Sequence, residues 1–254
     1  MTELLDRPAV AAPPGRRGYL VRMFRATEEA NRQAILRALP DGGGGTVLDL
    51  GTHTGAFSER IGRRTRADRL HGVEFIAEHA ERARRRGVMV TEADIEDGLP
   101  FEDATFDVVT ANQIIEHLRR TDLFLSEIRR VLKPGGLACV STNNLSSWHN
   151  VVALTLGFQP NPMHVSDEVV IGSPLNHENG MPHEDEGRVH LRLFTGRALS
   201  QLAGHHGLRT LSMRTVGYYP LPPRVAAVAT RVDPLHGAFL VGLFTRDDGG
   251  DAGP

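Results

Sequence analysis

The rest of the chain is built on one stretch, Thr46-Val47-Leu48-Asp49-Leu50-Gly51-Thr52-His53-Thr54-Gly55-Ala56-Phe57. Its mostly apolar start is typical of a short parallel strand that is covered on both faces. Gly51 and Gly55 suit a tight turn that a ligand can approach closely. The helix that follows offers N-terminal amides to polar ligand atoms. The stretch therefore predicts a strand, a turn and a helix around a ligand site.

Asp49 places a carboxylate at the mouth of this strand, and with Gly51 and Gly55 it gives the pattern acidic-x-Gly-x-x-x-Gly. The dinucleotide pattern Gly-x-Gly-x-x-Gly is absent, which makes a dehydrogenase the least favoured reading. A tight strand-to-helix turn in any α/β protein can produce the observed pattern. Its meaning therefore depends on the residues that follow the later strands.

Composition indicates a soluble globular protein. The 254 residues are 40% hydrophobic and 24% charged, which is enough for one α/β domain with an insertion. No apolar run approaches the roughly 20 residues of a membrane span, and we expect no secretory signal and no membrane partner. A single cysteine, Cys139, fits a reducing compartment and predicts a cytoplasmic location.

The charge balance argues against a dedicated nucleic-acid binder, because the formal net charge is −2. The basic residues are almost all arginine and cluster on two predicted helices, where a solvated surface explains them. We therefore expect no nucleic-acid partner. The sequence leaves a monomer and a homodimer both open.

The chain divides into one predicted domain with two tails. Residues 1–18 are expected to be a disordered lead-in, residues 19–246 a single domain and residues 247–254 a flexible tail. Residues 143–190, here called the lid segment, show little periodicity outside a helical pattern at 148–156 and are expected to cover the substrate. A helical pattern from Tyr19 to Leu39 predicts two pieces, with Thr27 capping the second.

Alternation of strands and helices predicts a doubly wound, Rossmann-like α/β fold. The sheet is expected to have seven strands and to be mostly parallel, with an antiparallel closing pair at the end, and the lid segment is an insertion. The predicted strands are 46–50, 69–74, 88–92, 106–110, 137–142, 208–216 and 236–245. The predicted helices between them are 56–66, 75–86, 122–132 and 196–206, the last two capped by Thr121 and Thr195.

Polar residues follow the strands at the edge where ligands of such sheets bind. Glu74 ends the second strand, 25 positions after Asp49, and its two oxygens can accept both hydroxyls of a ribose. The third strand is followed by Asp94 and Ile95. The fourth is followed by Asn112-Gln113-Ile114-Ile115-Glu116-His117-Leu118.

Taken together, residues 46–142 resemble the class I S-adenosylmethionine (SAM)-dependent methyltransferases, in particular their small-molecule branch. The resemblance is carried by the first motif, in which His53 replaces a third glycine, and by the acids and the Ile-Glu-His-Leu ending described above. Leu132-Lys133-Pro134-Gly135-Gly136 is also similar. The resemblance implies SAM as cofactor, with Asp94 bonding the adenine amino group and Ile95 flanking the ring. The expected cofactor-binding residues are Asp49, Gly51, His53, Gly55, Glu74, Phe75, Asp94, Ile95, Asn112 and, over the methionine end, Tyr19.

The expected reaction is methylation of a small-molecule acceptor, most simply O-methylation of a secondary metabolite or sugar. A hydroxyl acceptor needs a base whose pKa lies near the working pH, and histidine is the usual choice. His117, just past the fourth strand, and His149, in the lid segment, are the candidate bases; a structural histidine is the alternative for His117. The histidines and carboxylates of the lid segment lack metal-ligand spacing, so no metal is predicted.

Other readings stay open at this stage. A C- or N-methyltransferase depends less on general-base catalysis than an O-methyltransferase does. A nucleic-acid or protein methyltransferase is opposed by the absence of an Asn-Pro-Pro-Tyr-type motif after the fourth strand. A non-catalytic scaffold or sensor with this fold is favoured by His53 and opposed by the intact acids Asp49, Glu74 and Asp94.

Overall fold

The computed structural model describes residues 14–182 and 189–247. The predicted lead-in up to residue 13 and the tail from residue 248 lie outside the described residues. The seven strands are Thr46–Leu50 (β1), Arg69–Glu74 (β2), Met89–Glu92 (β3), Phe106–Asn112 (β4), Leu132–Asn143 (β5), Leu208–Val216 (β6) and Phe239–Arg246 (β7). The α-helices are Gly15–Ala38 (α1), Ala56–Thr65 (α2), Ala77–Arg85 (α3), Thr121–Val131 (α4), Trp148–Thr155 (α5), Gly196–His205 (α6) and Pro223–Val232 (α7).

The strands form one sheet in the order β3-β2-β1-β4-β5-β7-β6. Strands β1 to β5 pair in parallel, whereas β7 runs antiparallel to both β5 and β6. The predicted Rossmann-like, mostly parallel seven-stranded fold is confirmed. The order reverses between β1 and β4, and ligands of doubly wound sheets bind at such a point.

Helices cover both faces of the sheet, which explains the continuous apolar strands. Neighbouring residues of β4 show this, because Val108 and Val109 belong to separate core clusters on opposite faces. Ile35 of α1 and Ile61 of α2 pack with Val108. Phe124, Leu125 and Ile128 of α4 and Leu199 and Ala203 of α6 pack with Val109.

The first helix corrects one prediction. It begins at Gly15 and is continuous, whereas the sequence suggested two pieces from Tyr19. Thr27 is not a cap: its hydroxyl donates to the Met23 carbonyl, 2.8 Å away, within the helix. Thr27-Glu28-Glu29 imitates a helix start, but Glu28 and Arg32 are buried as an i,i+4 pair, so tertiary packing overrides the local signal.

Other boundaries shift for local reasons. Helix α7 was not predicted, although it begins at Pro223 and proline at the first helical position is a start signal. Helix α4 begins at Thr121 itself, without a side-chain cap. The predicted cap of α6 is present, since the Thr195 hydroxyl accepts from the Ala198 N–H at 3.3 Å.

The lid segment is tied down by backbone and asparagine contacts as far as it is described. The Asn144 amide donates to the Leu235 and Gly237 carbonyls, at 3.0 and 2.7 Å. A bridge joins Val169 to Pro182, and residues 183–188 lie outside the described residues. No helix within residues 14–182 and 189–247 is long and apolar enough to cross a bilayer.

The turn between β1 and α2 requires glycine at position 55, because α3 approaches this position closely. Gly55 has φ +80°, and a Cβ atom there would lie 2.8 Å from the Ala83 Cα of α3. The left-handed backbone and the lack of space both require glycine. This glycine therefore serves helix packing behind the turn.

Asp49 is a buried carboxylate that joins three elements. The Ser58 hydroxyl of α2 donates to its Oδ2 at 2.5 Å, and the Thr110 hydroxyl of β4 donates to its Oδ1 at 2.6 Å. Burial raises the pKa of Asp49 to about 6, and the charge of Glu74 adds to the rise, whereas the two hydroxyls oppose it. Asp49 therefore holds the strand and helix together beneath the turn.

We predict that Gly55→Ala lowers the unfolding free energy more than Gly87→Ala. Gly87 has a similar φ of +85° but nothing within 4 Å of its would-be Cβ. Both variants pay the left-handed penalty of about 1–2 kcal/mol, and Gly55→Ala adds roughly 1 kcal/mol or more of overpacking. Urea unfolding of the two variants measures the difference. Equal losses would mean that α3 moves away freely.

We predict that Asp49→Asn changes the pH dependence of stability. The folded pKa, about 6, lies above the unfolded value, so the Asp49 contribution is fully present below about pH 4 and is lost as pH rises through 6. Asp49→Asn cannot ionise, so it keeps the unfolding free energy that the natural chain loses, on the order of 2–3 kcal/mol. The unfolding free energy of the variant relative to that of the natural chain should therefore rise with pH up to the folded pKa of about 6 and then stay constant.

Chemical unfolding between pH 4.5 and 8 measures this profile. Ser58→Ala is the companion variant, since it removes a hydroxyl that stabilises ionised Asp49. In this variant the unfolding free energy should continue to fall to a higher pH than in the natural chain. A pH-independent difference between Asp49→Asn and the natural chain would contradict the assignment.

Candidate active site

The carboxyl ends of β1 to β5 meet along one edge of the sheet, and the predicted site residues that end or follow strands β1 to β4 lie along it. The turn after β1 is fixed by hydrogen bonds to β2: the N–H groups of Gly51 and Thr52 donate to the Val73 carbonyl at 2.9 and 3.1 Å. The Gly55 N–H closes the turn onto the Thr52 carbonyl at 2.9 Å. The edge of the sheet therefore presents a rigid loop.

His53 occupies the position that the resemblance assigns to a glycine, and the backbone there is left-handed, with φ +48°. Its imidazole packs against His79 of α3, with the ring centroids 3.9 Å apart. Its backbone N–H donates to Glu74 Oε2 at 2.8 Å. The turn thus keeps a glycine-like path while the side chain packs against α3.

Glu74 is held by two backbone donors at the end of β2. Besides the bond from His53, its Oε1 accepts from the Ile76 N–H at 2.9 Å, and the residue is only 6% exposed. Each carboxylate oxygen has a second acceptor site, so a diol can still bind. Phe75 stands beside it with 70% of its surface exposed. Glu74 therefore provides a fixed hydrogen-bond acceptor next to the exposed ring of Phe75.

Asp94 and Ile95 follow β3 as predicted but carry structural bonds as well. Asp94 Oδ1 accepts from the Glu96 N–H at 2.9 Å and caps a short 3₁₀ turn, Ile95–Asp97, while the residue stays exposed. Ile95 is half-buried against the core beneath this edge. An exposed carboxylate thus stands above an apolar side chain.

Asn112 ends β4 and connects the edge to α1. Its Oδ1 accepts from the Asn31 amide at 2.9 Å, and the Ser141 hydroxyl of β5 donates to Asn31 Oδ1 at 2.8 Å. Sequence reasoning missed Asn31, because a buried asparagine in a helix carries no local signal. Tyr19 lies near the start of α1, where its hydroxyl donates to the Pro220 carbonyl at 2.9 Å.

Glu116 and two histidines gather just after β4. Glu116 is fully buried, and its carboxylate accepts from the Thr142 hydroxyl at 2.9 Å and from the Asn143 amide at 3.3 Å. Burial raises the pKa of Glu116 to about 7. His117 lies against His190, with ring centroids 4.7 Å apart. His190 reaches this place only through the fold, because it lies at the far end of the lid segment.

Hydrogen bonds from the backbone hold this part of the lid segment in position. The N–H groups of Leu191 and Arg192 donate to the Glu116 carbonyl at 2.8 and 3.2 Å. His190 Nδ1 lies 2.6 Å from the Pro162 carbonyl, and burial lowers the pKa of His190 to about 3, with His117 adding to the decrease. His164 stacks on His190 at 5.2 Å.

The second predicted base, His149, has different neighbours. Its Nε2 lies 3.5 Å from the Ser147 hydroxyl, and its ring meets Tyr219 edge-on at 5.5 Å. Burial lowers the pKa of His149 to about 4. The two candidate bases therefore pack against different rings, Tyr219 for His149 and His190 for His117.

Comparison with known proteins gives the same architecture. Residues 48–140 match the model of a methyltransferase domain family. A crystal structure of a SAM-dependent methyltransferase from Mesorhizobium loti superposes with a TM-score of 0.58 at 16% identity, over 84% of this chain and 96% of that chain. At such low identity the superposition shows the fold alone.

Curated relatives are similar over the same region. A ubiquinone/menaquinone biosynthesis C-methyltransferase from Desulfotalea psychrophila is 31% identical, over 51% of this chain and 54% of that protein. A malonyl-[acyl-carrier protein] O-methyltransferase from Erwinia pyrifoliae is 35% identical, over 60% of this chain and 58% of that protein. The chain spans about half the length of the curated relatives it matches.

The matched domain covers the strand-end residues from Asp49 to Glu116, and the sheet has the strand order described above. Residues 48–140 are therefore similar to a methyltransferase domain, and the described sheet has the fold of SAM-dependent methyltransferases.

Proposed function

We propose that the protein transfers the methyl group of SAM to a hydroxyl of a small-molecule acceptor. The observation that carries the proposal is Glu74, a carboxylate fixed by two backbone N–H groups beside the exposed ring of Phe75 at the end of β2. When bound, SAM supplies a methyl group on a positively charged sulfur. The residues of the chain must bind its nucleoside, orient the acceptor and exclude water.

The residues present fit this cofactor. Glu74 supplies acceptors for the ribose hydroxyls, Phe75 and Ile95 supply apolar surface for the adenine, and Asp94 supplies an acceptor for its amino group. The Thr52 hydroxyl in the turn is buried and has no hydrogen-bond partner within residues 14–182 and 189–247, so a polar ligand group can bond it. Asn112 and Tyr19 are assigned to the methionine end.

A hydroxyl acceptor must lose its proton as the new bond forms. His117 is half-buried at the end of β4, next to the strand ends that hold the cofactor. We assign it as the base in preference to His149, because a pKa of about 4 makes His149 a weak base near neutral pH. His190 of the lid segment packs against the His117 ring, so the lid segment covers His117 on that side.

The relatives favour two acceptor chemistries. The Erwinia relative is named an O-methyltransferase, whereas the Desulfotalea relative is named a C-methyltransferase of quinone biosynthesis. C-methylation of an aromatic ring is therefore the second candidate, and it also releases a proton to a base. The cytoplasmic location, the small-molecule acceptor and the monomeric or homodimeric state stay predictions.

We predict that Glu74→Ala weakens binding of S-adenosylhomocysteine, the expected product, at least tenfold. A hydrogen bond to a charged group contributes about 1.5–3 kcal/mol, which corresponds to this loss. Glu74→Gln should lose less, because its amide oxygen can still accept one backbone N–H. Calorimetric titration measures both, with NAD as a ligand that should not bind.

The matched control is Glu81→Ala. Glu81 is an exposed glutamate of α3 that pairs with Arg85, away from the strand ends. Its affinity for S-adenosylhomocysteine should equal that of the natural chain. Unchanged affinity in Glu74→Ala, with unfolding showing an intact protein, would refute the ribose assignment.

We predict that His117→Ala lowers turnover by about 10²-fold while leaving the affinity for S-adenosylhomocysteine unchanged, because general-base catalysis contributes a factor of this size. A radiolabelled methyl-transfer assay with phenols, polyketides and glycosides as acceptors measures it. His149→Ala separates the candidates: loss of turnover in that variant, and not in His117→Ala, would move the base to α5. Product analysis by mass spectrometry and NMR then decides between oxygen and carbon.

A further inference from the structure

Three side chains that can bind a metal converge after β4. One ligand atom each from Glu116, His117 and His190 lies within 4.8 Å of the other two. Glu116 and His117 form a short 3₁₀ turn, whereas His190 comes from the far end of the lid segment. Sequence spacing predicted no metal because the third residue arrives only through the fold.

The buried carboxylate of Glu116 accepts hydrogen bonds from two neutral donors. Its partners are the Thr142 hydroxyl and the Asn143 amide, and it forms no ion pair with any residue in the described ranges 14–182 and 189–247. Burying a carboxylate without a counter-charge is expensive. A bound cation would remove this cost, and the two donors would then orient the carboxylate toward it.

His190 is set up as a ligand by its hydrogen bond. The Pro162 carbonyl can only accept, so His190 Nδ1 carries the hydrogen across the 2.6 Å contact. The other ring nitrogen, Nε2, then bears a lone pair. Histidines that bind metals typically donate their second N–H to a backbone carbonyl in this way.

We propose that Glu116, His117 and His190 bind one divalent transition-metal ion of the Zn²⁺ class. Two imidazoles and a carboxylate suit such ions and leave a coordination position open. Ligand atoms at about 2.1 Å from a tetrahedral ion are roughly 3.4 Å apart. The three ligand atoms, now within 4.8 Å of one another, must therefore approach by at most about 1.4 Å. His164, stacked on His190, forms one wall of the site.

The role of this ion rests on the proposed methyl transfer. Without a bound ion, His117 is the base proposed above. With the ion bound, His117 would be its ligand, and the ion would hold the acceptor hydroxyl and lower the pKa of that hydroxyl. The O–H bond breaks and its proton passes to solvent. An oxygen lone pair forms the new C–O bond as the S–C bond breaks, and that electron pair stays on sulfur in S-adenosylhomocysteine.

The test begins with protein stripped by a chelator and titrated with Zn²⁺ by calorimetry and with Co²⁺ by visible absorption. One equivalent should bind the natural chain. His190→Ala and Glu116→Gln should each lose at least about 100-fold in affinity, more than outer partners usually cost, and Thr142→Val should lose about tenfold. Glu116→Gln keeps the side-chain shape and removes the buried charge, so the fold should persist.

The control is His205→Ala/His206→Ala, which removes the adjacent surface histidines next to Asp122. Its Zn²⁺ affinity should match that of the natural chain. Absence of binding, equal binding by His190→Ala, or loss in the surface variant would each overturn the proposal. The same samples are titrated with S-adenosylhomocysteine. If they bind this product but not Zn²⁺, the metal site is refuted and the proposed function stands. If they bind Zn²⁺ but not the product, the proposed function is refuted.

Discussion

The site depends on one carboxylate that accepts two backbone hydrogen bonds. Glu74 joins the His53 N–H of the first turn to the Ile76 N–H at the start of α3. The turn can therefore keep a left-handed residue other than glycine, since the bond to Glu74 and the packing on His79 stabilise that backbone. We propose the same carboxylate as the ribose acceptor, so one group would both hold the turn and contact the ligand.

Buried acids along this edge show how the fold combines stability and chemistry. Asp49, the carboxylate predicted at the strand mouth, accepts two hydroxyl hydrogen bonds that join β1 to α2 and β4. Glu116 has a similar pair of donors but stands beside two imidazoles instead of a helix. The difference in neighbours is what separates a structural acid from a candidate functional one.

Much of this arrangement could be predicted from sequence, because it is local or periodic. The bounds of β1, β2 and β6 match the predicted ones, and the strand-end positions of Glu74, Asp94 and Asn112 follow from the alternation of strands and helices. The failures involve long-range packing. Thr27 imitated a cap, Asn31 reached the strand ends only through α1, and His190 reached Glu116 only after the lid segment had folded back.

The lid segment is anchored on both sides of residues 183–188. The bridge between Val169 and Pro182 holds one side, and the bonds from Leu191 and Arg192 to the Glu116 carbonyl hold the other. Lengthening a loop between fixed ends costs little free energy, about 0.6 kcal/mol for each doubling. Insertions between these anchors would therefore leave the cofactor end intact. If the lid segment covers the acceptor as proposed, acceptor choice could change between these anchors while the sheet stays the same.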